Sequence, residues 1–241
     1  PPLGLYIHLP WCERKCPYCD FNSHETSAVP EDEYIRTLLQ DLRNDLPLLQ
    51  QRTIDTLFIG GGTPSLFSAD AIRTLLREIT ELVPLSTTLE ATMEANPGSA
   101  EADKFCAFRD AGITRLSLGI QSFDDTHLQV LGRVHTSDQA HAAIEFARRA
   151  GFESFNLDLM HGLPGQTLRD AESDLLTAIA SAPSHLSWYQ LTIEPNTVFH
   201  KRPPHLPVED ELAEIQQCGE QLLARSGYGQ YEVSAYSQKG Y

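Results

Sequence analysis

The sequence contains no apolar run near the roughly 20 residues that a membrane-spanning helix needs. Its N-terminus also lacks a basic segment followed by an apolar stretch. No transmembrane segment and no leader are expected, and the chain reads as cytoplasmic. Basic residues are scarce: 18 Lys and Arg stand against 33 Asp and Glu, for a formal charge of -15. Nonspecific nucleic-acid binding requires clustered cations to neutralise phosphates, so this class is excluded. Long internal repeats and low-complexity segments are absent. An even cysteine count is missing too: there are five, and three of them fall within eight residues. A chain of 241 residues buries enough core to dispense with disulfides, so the pattern favours metal binding in a reducing compartment.

What is present is alternation. β-rich segments at Leu5–Leu9, Thr56–Gly60, Leu89–Ala95, Arg115–Gln121, Ser154–Met160 and Leu186–Ile193 are separated by helical patterns such as Tyr34, Ile35, Leu38, Leu39 and Leu42, and Ile72, Leu75, Leu76 and Ile79. Six such βα units imply an α/β fold, an incomplete TIM-like (β/α)6 barrel or strongly curved open parallel sheet. One domain over residues 1–241 is expected. The chain stops soon after a strand-like segment Gln230–Tyr236, which reads as a fragment of something longer.

Strands in a parallel sheet are usually apolar on both faces, yet these alternate. Leu116, Leu118 and Ile120 oppose Ser117, Gly119 and Gln121; Phe155, Leu157 and Leu159 oppose Asn156 and Asp158; Leu89, Ala91 and Met93 oppose Glu90, Thr92 and Glu94. With helices covering the outside, the polar faces point into the lumen and imply a polar ligand there. Cys12, the Gly60-Gly-Gly-Thr-Pro64 turn, Glu94, Gln121 and Asp158 all fall at strand carboxyl ends, the side on which α/β barrels place their sites.

Cys12-x-x-x-Cys16-x-x-Cys19 packs three soft ligands into a loop short enough to wrap one metal centre. A zinc site of these cysteines with His8 or His24 is the competing reading, weakened by the lack of a second knuckle. Three ligands on a cubane leave one iron open to a reactant. Cys106 and Cys218 sit among apolar residues at helical spacing and read as small buried hydrophobes.

Tyr6-x-His8-x-Pro10-x-Cys12-x-x-x-Cys16-x-x-Cys19, with Gly60-Gly-Gly-Thr-Pro64, Met93-Glu-Ala-Asn-Pro97, Gly119-Ile-Gln-Ser-Phe123, Asn156-Leu-Asp158 and Gly162-Leu-Pro164, resembles the radical S-adenosylmethionine (SAM) superfamily. The branch is the one that holds the oxygen-independent coproporphyrinogen III dehydrogenases and the haem chaperones. The resemblance implies a 4Fe-4S cluster on Cys12, Cys16 and Cys19, flanked by Tyr6. It also implies a SAM pocket made by Gly61, Gly62, Thr63, Glu94, Gln121, Arg133, Asp158 and Thr192. Alone, the glycine turn is a weak signal, because it lacks the Lys-Ser/Thr of a phosphate-binding loop.

The dehydrogenases carry a further thiol just past the third cysteine, where this sequence has Cys19-Asp20-Phe21. With Trp11 and the segment Leu186–Pro195, that pattern is similar to the haem chaperones. The resemblance therefore implies haem as a second cofactor and haem-accepting respiratory proteins as partners. The alternative is a dehydrogenase that uses a 5′-deoxyadenosyl radical to decarboxylate porphyrinogen propionates. The chaperones' haem segment lies downstream of a strand like Gln230–Tyr236, beyond this chain's end. His135, His161, His200 and His205 read as solvated or satisfied core residues.

Overall fold

The computed structural model describes residues 2–98 and 103–241. β1 (Gly4–Leu9) is followed by two short strands, β2 (Trp11–Cys12) and β3 (His24–Glu25), which pair with each other across the cysteine loop. The main sheet continues with β4 (Ile54–Gly61), β5 (Leu85–Ala95), β6 (Arg115–Gln121), β7 (Ser154–His161) and β8 (His185–Gln190). Its order is β1-β4-β5-β6-β7-β8, every neighbour parallel, with helices in the connections. The six parallel strands and the α/β class agree with the sequence pattern.

Several boundaries move, and β5 begins at Leu85 rather than Leu89. The last parallel strand ends at Gln190 rather than Ile193, and the segment expected as one strand at Gln230–Tyr236 is a hairpin of β9 (Tyr228–Glu232) and β10 (Ala235–Gln238). The turn between them contains Ser234 at φ 59, a left-handed conformation that ends the first strand. β10 runs antiparallel to β8, with Ala235 opposite Ser187, and β9 closes that side. β1 and β9 are therefore separate edges, and the sheet is open rather than a closed barrel.

Alternation decides the two faces. Leu9, Ile59, Met93, Leu118, Leu157 and Leu186, one from each parallel strand, are fully buried in a single core. Helices Ala69–Leu82, Ser137–Arg149 and Leu168–Ala180 cover it with Ile72, Leu75, Ala143, Ala147, Leu175 and Ala178. Each large side chain so buried contributes about 1.5–3 kcal/mol. The opposite face carries the polar residues. Thr136 and Gln139 form a reciprocal capping box that fixes where Ser137–Arg149 starts.

The two remaining cysteines depart from expectation. Helix Phe105–Ala111 buries Phe105 and Phe108, and Cys106, one position round the helix, faces solvent. Helix Glu209–Arg225 buries Ile215, Gly219 and Leu223, which leaves Cys218 half-buried at the margin of that stripe. Glycine is required at 219 because an added Cβ would lie 2.7 Å from Trp188 Nε1.

Candidate functional site

At the carboxyl ends of the parallel strands the polar face encloses a cavity of about 660 Å³. Cys12, Cys16, Cys19, Gly61, Gly62, Thr63, Glu94, Gln121, Arg133, Asp158 and Thr192 all line it. Segments up to 180 residues apart in sequence thus converge, which is what βα topology does to strand ends. Tyr6 is the exception. It stands on β1 outside this lining, more than half exposed, its ring stacked on Phe58 and its hydroxyl 2.9 Å from His8 Nδ1.

The cysteine loop is braced before any ligand is considered. Lys15, between the first two cysteines, donates from Nζ to the carbonyls of Phe21 (2.9 Å) and Ser23 (3.2 Å). Its backbone N–H donates to Glu25 Oε1 at 2.7 Å. His24 N donates to Pro10 O and Thr26 N to Cys12 O, so the returning chain is zipped to the outgoing one. Cys12 is buried, and burial raises its thiol pKa, while the hydroxyls of Thr63 and Ser23 act in the opposite sense. Among the described residues no three His, Cys, Asp or Glu side chains converge tightly enough to hold one metal ion. A single zinc ion needs that convergence; three thiols that each bind a different iron do not.

The glycine turn has two steric demands of its own. Gly61 has φ 122, and a Cβ there would lie 2.6 Å from the His8 ring. A Cβ on Gly62 would lie 2.6 Å from the Trp11 carbonyl. The backbone N–H groups of Gly61, Gly62 and Thr63 donate to Glu94 Oε2, Leu9 O and Trp11 O. None is left to cradle an anion, so the turn suits a cationic group better than a phosphate.

Glu94 and Asp158 supply negative charge to the same cavity. Asp158 accepts from Ser117 Oγ at 2.9 Å and Asn156 Nδ2 at 2.7 Å, and burial raises its pKa. Glu94 is pushed up to about 7, first by burial and then by the Asp158 charge, against which the Gly61 N–H works.

A pH effect follows. The Glu94 proton is held to higher pH in the folded protein than in the unfolded chain. The resulting stabilisation is complete below the ordinary carboxylate pKa and is lost as pH rises through about 7. Between pH 5.5 and 8 the ligand-free protein should lose on the order of 2 kcal/mol that Glu94→Gln does not lose. Urea midpoints of both proteins at the two pH values measure this; parallel pH dependence would remove the assignment.

Arg133 reaches across the cavity floor. Nη2 donates to Asn96 Oδ1 at 2.6 Å and Gly119 O at 2.9 Å, and Nη1 lies 3.6 Å from Cys16 Sγ. Gln121 has φ 68, and its Oε1 accepts from Tyr189 OH at 2.6 Å. Sequence reasoning did not single out Tyr18, Asn96 and Tyr189 as cavity residues, although all three line it. Strand alternation could have found Tyr189, which shares the inward face of β8 with Ser187. Tyr18 lies between two ligand candidates in the loop itself.

The histidines stay out of this cavity. His135 is buried with Nε2 3.1 Å from Ile120 O, and burial pushes its pKa down to about 3. His161 stacks on Trp188, and burial pushes it down to about 4. His200 and His205 are outside the lining as well.

Comparison with known proteins gives the family. The family model described as the radical SAM superfamily matches residues 6–178, well over half of the chain. The chain belongs to the radical SAM superfamily. Membership implies a 4Fe-4S cluster and SAM. The chain is 56% identical to the heme chaperone HemW of Haemophilus influenzae over all of its own length, and 40% identical to that of Bacillus subtilis over 98% of it. It spans 64% of each of those relatives. Among solved structures, coproporphyrinogen III oxidase (HemN) from Escherichia coli, described as a radical SAM enzyme, matches the whole chain with a TM-score of 0.90. Identity there is 28%, over 56% of that protein. Within the described residues, no helix is long and apolar enough to cross a membrane.

Proposed function

We propose that this chain is the radical SAM part of a haem chaperone. The observation that carries the proposal is 56% identity to a heme chaperone HemW along the whole chain, twice the 28% shared with the coproporphyrinogen oxidase. The residue after Cys19-Asp20 points the same way. Phe21 stands there, 63% exposed at the cavity, in place of the extra thiol of the dehydrogenase branch.

The residues present fit the implied groups. Cys12, Cys16 and Cys19 offer three thiols, with no fourth Cys and no His among the cavity residues. A 4Fe-4S cluster held by three cysteines supplies electrons and one open iron for a reactant. Glu94 and the glycine turn, which has no free N–H for an anion, would hold the ammonium of SAM. Asp158 and Thr192 would offer partners to its ribose and adenine, Gln121 is oriented by Tyr189, and Arg133 supplies a fixed cation. Tyr18 and Tyr189 also line the cavity.

Haem is the cargo, delivered in the cytoplasm to respiratory haemoproteins. The enzyme alternative draws on the TM-score of 0.90 to the oxidase. Anaerobic incubation of the reduced, SAM-loaded protein with coproporphyrinogen III separates the two readings. The chaperone reading expects no protoporphyrinogen. Stoichiometric protoporphyrinogen would overturn it.

A further inference from the structure

The three cysteine sulfurs do not have equivalent surroundings. Cys12 lies against the neutral hydroxyls of Thr63 and Ser23, and Cys19 has Ser23 Oγ at 4.0 Å. Cys16 instead meets a guanidinium: Arg133 Nη1 donates towards its Sγ at 3.6 Å, within range for a bond to sulfur. Tyr18 lies beside the same pair and lines the same cavity. Arg133 is not waiting for a ligand to position it. Asn96 Oδ1 and Gly119 O fix its other nitrogen, and Asn96 is fixed in turn, donating from Nδ2 to Thr63 Oγ1 at 3.1 Å and from its backbone N to Ser65 Oγ at 3.3 Å. The floor of the site is therefore one connected network running from the glycine turn through β5 and β6 to the second cysteine.

We propose that Arg133 acts on the metal centre through Cys16, holding the reduction potential of the cluster above the value that three thiolates alone would give. This rests on the reading that Cys12, Cys16 and Cys19 carry a 4Fe-4S cluster. The physical ground is that reduction adds one negative charge to an already anionic centre. A fixed positive charge and an N–H···S bond at one ligand stabilise the reduced form more than the oxidised form. The contact needs no SAM, so the effect belongs to the resting protein. Arg133 is in this sense a positioning and tuning residue, in addition to any contact with SAM.

The test is a potentiometric titration, followed by electron paramagnetic resonance, of the anaerobically reconstituted full chain without SAM. Dithionite supplies the single electron that the cluster takes up. Arg133→Gln keeps a planar donor but removes the charge. It should shift the reduction equilibrium about tenfold towards the oxidised form, a midpoint about 59 mV lower. Arg133→Lys keeps the charge without the fork that reaches Cys16 and Asn96 together, and should move the midpoint less in the same direction. A midpoint for Arg133→Gln equal to that of the unmutated protein, at full iron and sulfide content, overturns the proposal. If Arg133→Gln cannot hold a cluster, the Arg133→Lys midpoint decides by the same criterion. An unmutated protein without acid-labile sulfide overturns the cluster reading itself, and metal analysis reads that outcome separately.

Discussion

Cys12→Ala, Cys16→Ala and Cys19→Ala are each expected to abolish the brown iron–sulfur chromophore, whereas Cys106→Ala and Cys218→Ala leave it at the unmutated level. The three loop cysteines line one cavity, and their loop is held in place by Lys15, Glu25 and the backbone bonds to Pro10 and Cys12. Removing one thiol leaves two ligands on a cubane, which loses both affinity and shielding from water. Cys106 lies exposed on a helix and Cys218 half-buried on another, and neither lines the cavity. Iron and acid-labile sulfide, measured after anaerobic reconstitution, give the result. A full cluster in the Cys16 variant would sink the ligand assignment, as would loss of cluster in the Cys106 variant with its fold intact by circular dichroism.

The second large effect concerns the two carboxylates. Glu94→Gln and Asp158→Asn should each weaken SAM binding roughly ten- to hundred-fold while iron and sulfide stay at full content. Glu94→Gln keeps an oxygen for the Gly61 N–H, and Asp158→Asn keeps one for Ser117 or Asn156, so the local frame survives while the charge is lost. A charge-assisted hydrogen bond contributes about 1.5–3 kcal/mol, which sets the expected range. Equilibrium binding of SAM to reconstituted protein measures it. Unchanged affinity would leave these residues as hydrogen-bond partners of the lumen wall, and loss of the cluster would make them structural.

Much of this site was legible because its information is local or periodic. The polar alternation in Arg115–Gln121 and Ser154–Met160 gave the lumen face, since a period of two is a property of the chain alone. The cysteine spacing gave the loop for the same reason. Contacts made across long sequence separations were not legible: nothing near Arg133 announces Cys16, 117 residues away. The glycine turn was legible as a turn, but its reason was not. The resemblance put it in the SAM pocket, whereas the structure adds His8 and the Trp11 carbonyl as the neighbours that exclude a side chain. The hairpin at Tyr228–Gln238 was hidden because Val233 and Ser234 carry no strong turn signal. Cys106 was misjudged because flanking phenylalanines at 105 and 108 mark a buried face that position 106 does not share.

The brace around the cysteine loop bears on the order of events in assembly. Fixing a residue's backbone costs about 1–2 kcal/mol of conformational entropy, and a floppy loop of this length would meet that cost at the moment of metal capture. Here the Lys15 ammonium, the Glu25 carboxylate and the short pairing of β2 with β3 order the loop as part of folding, with bonds made entirely within the chain. Capture of a metal centre by these cysteines would then meet less of that entropic cost than capture by an unbraced loop.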